Sequence, residues 1–509
     1  MKNLALLIFL LIGITAFSQT KIVNYEKVVK SQNTLKLKQG EHLFDIDLKT
    51  ITVKTPKGTK LDTKYEVKRK NKFGFIDITV PDDENFEKFI QKLENDKSIE
   101  LIEYASIGEY VDFLPNDTNS YLQWHLPVIN MPQAWDETTG DSAVVVGVLD
   151  SGTDWEHFDL GEGNDSYQNI FLNNGEDAWS TEDDPTTGNG IDDDGNGLID
   201  DWKGWNYANS TNDTRTTNYH GTFVAGIVSA KTNNITGISG VAGGNNNTGV
   251  RVLPYCVGIT GPLGSILDDA IIDAVDNGAD VIQLSLGVAS STAIDSAILY
   301  AKNNNVVVVC SSMNNNSSSV SYPASNIYVI AVGATDTDNT RAWFSNYGTD
   351  LDIVAPGVSI YSTELSNGYG THSGTSFAAP QVSAVISLLL SLDASLTYDE
   401  QVEIIRSTAQ KLGGYSYTTT AGKPYGTWNI EMGYGVLDAH AAVLEAVCDT
   451  ASFVNQTVTT NTTIEDCNVF VQNVEVINNS KLTIEAENEV IIEGEFDVEM
   501  GSELDVDIN

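Results

Sequence analysis

Apolar residues follow three different rhythms along this chain. In the middle, residues 143–149 form an unbroken apolar run and 250–257, 280–286 and 306–310 read as further strands, separated by helical stretches at 265–277 and 292–303. Runs of that kind suit strands buried on both faces, and their alternation with helices suits right-handed crossovers. The pattern therefore predicts an α/β fold with a doubly wound, mainly parallel sheet. The apolar stretch 377–390 predicts a buried helix with Ser376 at its start, and 437–447 a closing helix.

Before and after this middle part the rhythm changes. Residues 75–80 alternate as a strand does, and a helix opening at Pro81 would put Phe86, Phe89, Ile90 and Leu93 on one face, with a further strand at 99–104. Residues 20–116 thus read as a separate α+β module. From 451 to 509 helical periodicity disappears. Val474 and Val476, Leu482 and Ile484, Val490 and Ile492, and Phe496 and Val498 alternate with polar, often acidic, positions. Asn478-Asn479, Gly494 and Gly501 sit where turns would fall, so this part predicts a small all-β appendage of short strands about eight residues apart.

Composition narrows the function. The 509 residues carry a formal net charge of −42, which disfavours nucleic acid as a partner because phosphates would be repelled. Four cysteines are too few for a disulfide-dense scaffold. Cys256 and Cys310 lie in apolar runs and read as buried thiols, whereas Cys448 and Cys467 flank a boundary and are a candidate pair. Met1-Lys2-Asn3 followed by an apolar run to Phe17 reads as an export signal over 1–19, with no integral membrane segment elsewhere. The expected protein is secreted, with surface attachment through 449–509 as a further expectation.

Three motifs carry candidate chemistry. Asp150 ends the first apolar run, at the carboxyl end of a strand, where functional groups gather in open α/β sheets. His220 precedes the small-residue stretch Gly221 to Val228. Ser376, between Gly374 and the apolar helix, has its hydroxyl at a helix N-terminus that favours developing negative charge. Singly, each has a bland reading: a strand-end cap, a core histidine, a helix cap. In the order Asp, His, Ser they match one of the known orders of a nucleophilic triad.

On Asp150-Ser151-Gly152-Thr153, His220-Gly221-Thr222-Phe223-Val224-Ala225-Gly226 and Gly374-Thr375-Ser376-Phe377-Ala378-Ala379-Pro380, the chain resembles the subtilase family of serine peptidases, over about residues 124–448. The resemblance implies a secreted serine endopeptidase acting on protein or peptide substrates, with Asp150, His220 and Ser376 as its triad. Residues 20–116 would be an inhibitory propeptide acting as the chain's own inhibitor, its segment 107–115 filling the cleft until cut. Catalysis would belong to 117–448. It further implies that Ser285, Leu286 and Gly287 line the first specificity pocket and that Asn314 supplies the oxyanion hole. The family usually has Gly immediately before that Asn, and this chain has Met313, so Asn315 stays an alternative. Phe223 stands where the family has a second His, facing the helix interior, and His157 and His372 read as structural. A catalytically silent binding or adhesion module and an exopeptidase are the competing readings.

Between Asp150 and His220 lie about seventy mostly polar residues, long for a loop in a compact domain. Within them Asp192, Asp194 and Asn196 recur at spacings of two, with Gly197 at the sixth position, as at the start of an EF-hand loop. The twelfth position is Lys203 instead of Glu, so Asp200 or Asp201 would have to close the site. The expectation is a structural Ca²⁺, with Trp202, Trp205 and Tyr207 pinning the loop to the body.

Overall fold

The computed structural model describes residues 28–31, 34–39, 42–55, 61, 63–70, 75–81, 86–107, 115–161, 169–181, 183–447, 450–499 and 502–508. The expected export signal 1–19, residues 108–114 of the cleft-filling segment, Cys448 with its candidate pairing to Cys467, and the turn at Gly501 lie outside the described residues. The chain divides into two compact units, up to Val111 and from Asp112 onward.

The first unit is a six-stranded antiparallel sheet with one helix. Strand Phe75–Thr79 alternates half-buried and buried positions and pairs with the long strand His42–Lys54, which also pairs with Leu101–Ile107. Helix Phe86–Asn95 presents Phe86, Phe89, Ile90 and Leu93 to a core of Ile51, Val53, Ile76, Ile78 and Ile102. The strands before Phe75 had no counterpart in the sequence reading.

The second unit is organised around a seven-stranded sheet in which every neighbouring pair is parallel. Its order across the sheet is Ile353–Pro356, Val329–Thr335, Val307–Ser311, Val281–Leu284, Val145–Asp150, Arg251–Cys256 and Trp205–Asn206. Val145 through Asp150 are buried on both faces, as the unbroken apolar run required. One core, around helices His220–Ser229 and Ala379–Leu392, covers one face; a second, around Leu267–Asp276 and Thr292–Asn303, covers the other. The fold is the doubly wound α/β architecture. The stretch Thr375–Leu392 has the length and apolarity of a membrane helix, but 89 % of it is buried, so its apolarity serves the core.

The expected helix start shifts. Ser376 lies in a single 3₁₀ turn, Thr375–Phe377, and the α-helix begins at Ala379, because Pro380 has the fixed φ and missing N–H suited to a first helical turn.

The β-rich tail is built of longer strands than the periodicity suggested. Thr462–Val476 and Lys481–Val498 span 15 and 18 residues, and all pairs are parallel, Thr462 opposite Leu482 and Lys481 opposite Glu503. Register shifts at Asp466/Asn468 and Gln472/Val474 interrupt the alternation inside single strands, which is why the sequence looked like shorter ones. Val469, Val471, Val474, Val476, Leu482 and Ile484 form the tail's own core, and Asn478 and Asn479 turn the chain at φ 60° and 58°.

Candidate active site

The carboxyl edge of the parallel sheet brings together segments far apart in sequence. Asp150 is the last residue of its strand, residues 285–287 follow Val281–Leu284, and Asn314 follows Val307–Ser311. Crossover connections put all three on one edge. His220 opens helix His220–Ser229, whose next residue sits directly on the loop after Asp150. A Cβ on Gly221 would lie 2.1 Å from the Gly152 carbonyl oxygen, so only glycine lets the helix approach this closely. Its N–H donates to Ser151 Oγ at 3.0 Å.

That approach sets the first pair. His220 Nδ1 donates to Asp150 Oδ1 at 2.8 Å, and the same oxygen accepts the Ser151 N–H at 2.6 Å. The carboxylate is 6 % exposed, so water hardly competes for it. Burial alone would lower the affinity of the His220 ring for a proton, but the Asp150 charge and hydrogen bond outweigh it, and His220 is raised above an ordinary imidazole. Phe377 lies 5.4 Å from the His220 ring, centroid to centroid, and Phe223, fully buried, packs on Phe377 at 4.5 Å. Phe223 thus faces the core, and Phe377 stands between it and the His220 ring.

Ser376, 8 % exposed, directs its Oγ at the Ser285 carbonyl, 3.4 Å away. Ser285 Oγ in turn donates to the Ser376 carbonyl at 2.7 Å, while accepting from Gln283 Nε2 at 2.8 Å. Gln283 Oε1 accepts from Ser383 Oγ, on the helix that follows Ser376. This buried chain locks the Ser376 turn to the strand edge, and the sequence reading missed it. A glutamine inside an otherwise apolar strand run was the available signal.

Beside it, Thr375 donates both its N–H (2.8 Å) and its Oγ1–H (3.0 Å) to Asn314 Oδ1. Two donors fix which end of the amide is oxygen, leaving Nδ2 for a ligand. Met313 has φ 81°, in the left-handed region where glycine is favoured and a side chain carries a steric cost. It is held from both sides: its N–H donates to Thr375 Oγ1 at 3.2 Å and its carbonyl accepts the Asn346 N–H at 2.9 Å. Asn315 instead donates its backbone N–H to Asn346 Oδ1. Asp150, His220, Ser285, Leu286, Gly287 and Met313 all line one cleft.

His157 and His372 bind protein groups. Buried His157 accepts the Asp159 N–H at Nδ1 and donates from Nε2 to the Gly368 carbonyl at 3.0 Å, and burial lowers its proton affinity. His372 stacks on Tyr219 at 4.3 Å and lies 2.6 Å from Glu364 Oε1. Cys256 and Cys310 are both buried, and burial pushes their thiols up to about 11 and about 12, so neither is a thiolate at neutral pH.

In the long insertion, oxygen atoms of Glu176, Asp192 and Asp194 all lie within 4.8 Å of one another. A set made only of carboxylate oxygens suits a hard cation, and three such charges in mutual contact repel without one. Glu176 was missed, for it lies 16 residues upstream and only the fold brings it in. It also braces the loop: Oε1 accepts from the Asp193 N–H (2.8 Å) and Oε2 from the Asp200 N–H (3.1 Å). Asn196 donates to both Asp194 and Asp201 at 3.2 Å, so these three adjoin. Buried Asp201 is pushed up to about 7, chiefly by burial. The Asp200 carboxylate turns elsewhere, accepting the Gly190 N–H at 3.0 Å. The ammonium of Lys203, at the failed twelfth position, sits over the rings of Trp155, Trp202 and Trp179 at 4.2, 5.1 and 5.6 Å. Trp202 joins one core and Trp205 and Tyr207 pack on the other, which pins the loop as expected.

The subtilase family model matches residues 141–435. A thermophilic serine proteinase of Bacillus sp. (strain AK1) is 36 % identical over 358 residues, 68 % of this chain and 75 % of that protein. An extracellular protease of Xanthomonas campestris is 33 % identical over 71 % of this chain, which spans 62 % of that protein. Thermitase of Thermoactinomyces vulgaris is 33 % identical over 59 % of this chain and 94 % of its own length. With the Asp-His-Ser motifs all inside the matched span, the chain belongs to the subtilase family and is a subtilisin-like serine protease.

Proposed function

We propose that the chain is an exported endopeptidase that cleaves protein substrates through Asp150, His220 and Ser376. The observation that carries this is the 2.8 Å Asp150–His220 pair in the cleft where Ser285 ties down the Ser376 turn. Ser376 Oγ turns from the Ser285 carbonyl to attack a peptide carbonyl, and His220 Nε2 takes its proton. Asp150 keeps the proton on Nδ1 and stabilises the imidazolium that forms. His220 then protonates the leaving amine, and water hydrolyses the acyl-enzyme by the same route reversed.

The developing oxyanion is bound by Asn314 Nδ2 and the Ser376 N–H. An amide donor fixed beforehand at that place lowers the barrier by about 3 to 4 kcal/mol. Thr375 provides the fixing, and the pinned backbone of Met313 keeps Asn314 in place without the usual glycine. Residues 285–287 pair with an extended substrate, a mode tolerant of side chains and suited to unfolded segments.

The domain plan is an export signal over 1–19, an inhibitory propeptide over 20–116, the catalytic domain over 117–448 and the β-rich tail over 449–509. The extracellular protease of Xanthomonas campestris is a relative whose name agrees with export. Glu176, Asp192 and Asp194, with Asn196 and Asp201 adjoining, would hold a structural calcium ion, whose charge would offset their mutual repulsion and so order the insertion.

Intact mass of the purified chain over time, for the wild type and Ser376→Ala, tests the reading. Loss of the segment up to about Asn116 in the wild type alone, with a serine-directed phosphonate bound at Ser376, is the expected outcome. A wild type that neither matures nor takes the phosphonate would sink it.

A further inference from the structure

The Met313 side chain takes no part in the chemistry above, yet it lies inside the cleft. Its backbone is held at φ 81° by the Thr375 and Asn346 hydrogen bonds, so the direction of the side chain is set by groups that also set Asn314. That direction leads onto Gly287. A Cβ at residue 287 would lie 3.0 Å from Met313 Sδ and 3.2 Å from its Cε and Cγ, so the thioether rests flat against the glycine.

The location matters. A carbonyl under attack by Ser376 has its oxygen at Asn314, and the residue carrying it runs along 285–287. The side chain of that residue must therefore enter between the segment preceding Asn314 and the 285–287 edge. Met313 spans that gap. We propose that Met313 fills the first specificity pocket and restricts the residue on the acyl side of the cleaved bond to small side chains, Gly, Ala or Ser. This rests on the assignment of 285–287 and Asn314 given under the proposed function. A large side chain would have to displace the thioether from Gly287, whereas a methyl or hydroxymethyl group fits beside it.

The test uses peptide anilides identical except for the acyl residue, Gly, Ala, Leu or Phe, with kcat/KM measured for the wild type, Met313→Gly and Met313→Ala. The wild type is expected to prefer Ala over Phe by about ten-fold or more, the range one pocket contact commands. Met313→Gly should move the Phe-to-Ala ratio at least about ten-fold toward Phe, with Met313→Ala between. Damage to the oxyanion hole would slow every peptide alike, so it leaves that ratio unmoved. A wild type that cleaves after Phe as well as after Ala overturns the proposal, and so does an unmoved ratio in either variant. In those cases labelling of Ser376 by the phosphonate still upholds the protease reading. A wild type that cleaves no peptide and takes no label removes both.

Discussion

Thr375 and Asn314 are joined by two hydrogen bonds, 2.8 and 3.0 Å, that both end on the Asn314 amide oxygen. Thr375, the residue before Ser376, thus orients the Asn314 amide. Thr375→Val removes one of the two donors and keeps the shape. We expect kcat to fall about ten-fold with KM little changed, against about 10²- to 10³-fold for Asn314→Ala. The double variant should be no worse than Asn314→Ala alone, since Thr375 acts through Asn314. Steady-state kinetics on one peptide decides it; additive losses would refute the coupling.

The acid limb of activity should report His220. Its proton affinity is raised by Asp150, and the ring must be neutral to accept the Ser376 proton. The pH profile of kcat/KM should therefore rise through a value above the ordinary imidazole pKa of about 6.5. Asp150→Asn removes the raising charge, so the limb should move to lower pH while kcat drops about 10⁴-fold. An acid limb unmoved in Asp150→Asn would contradict the pairing.

His125 sets a different pH dependence, that of stability. It is fully buried, neither ring nitrogen has a hydrogen-bond partner among the described residues, and burial pushes it down to about 3. A depressed folded value means the unfolded chain takes up a proton first. Stability is therefore intact above about pH 6.5 and declines by about 1.4 kcal/mol per unit as pH falls toward 3. His125→Leu should flatten that decline. Urea unfolding at several pH values, in a Ser376→Ala background that prevents self-digestion, would show equal slopes if the residue is irrelevant.

Calcium should act through the insertion. In the Ser376→Ala background, Ca²⁺ at about 100 times its Kd should stabilise by about 2.7 kcal/mol, a few degrees in Tm. Asp192→Asn with Asp194→Asn should abolish the shift. Glu176→Gln should also lower Tm without calcium, because its carboxylate accepts backbone N–H groups as well. Calorimetry with calcium and with chelator separates the two effects, and an unchanged calcium shift in the Asp192/Asp194 variant would remove this cluster from consideration.

Ser285→Ala tests the buried hydrogen-bond chain. It leaves Gln283 Nε2 without the Ser285 hydroxyl and frees the Ser376 carbonyl. A buried polar group left unsatisfied costs about 1 to 3 kcal/mol, so urea unfolding should show a loss of that size. A loss near zero would mean that water replaces the hydroxyl.

Local signals were the readable ones. Asp150, His220 and Ser376 each sit where a strand ends or a helix opens, and each boundary is written in neighbouring residues. Four of the seven strands in the parallel sheet were readable for the same reason, in their mainly apolar runs, whereas Val329–Thr335, Ile353–Pro356 and Trp205–Asn206 had no counterpart in the sequence reading. What escaped was assembled by contact between distant segments. Glu176 joins Asp192 and Asp194 only after the loop closes. The Ser383–Gln283–Ser285 chain links a helix to a strand 100 residues away. The tail misled because bulges break the alternation of a long strand, and a break in period reads like a strand end.

Lys203 gives the insertion a second kind of fastening. Its ammonium lies among three tryptophans of the protein itself, whereas the proposed calcium ion would dissolve away when the medium is poor in it. Starved of calcium, the acidic turn at Asp192 to Asn196 would slacken while residues 202–203 stay moored, leaving a short leash instead of a free seventy-residue arm. Such a leash confines the search for the bound form, so the enzyme should recover when the ion returns, with little time spent as bait for its own kind.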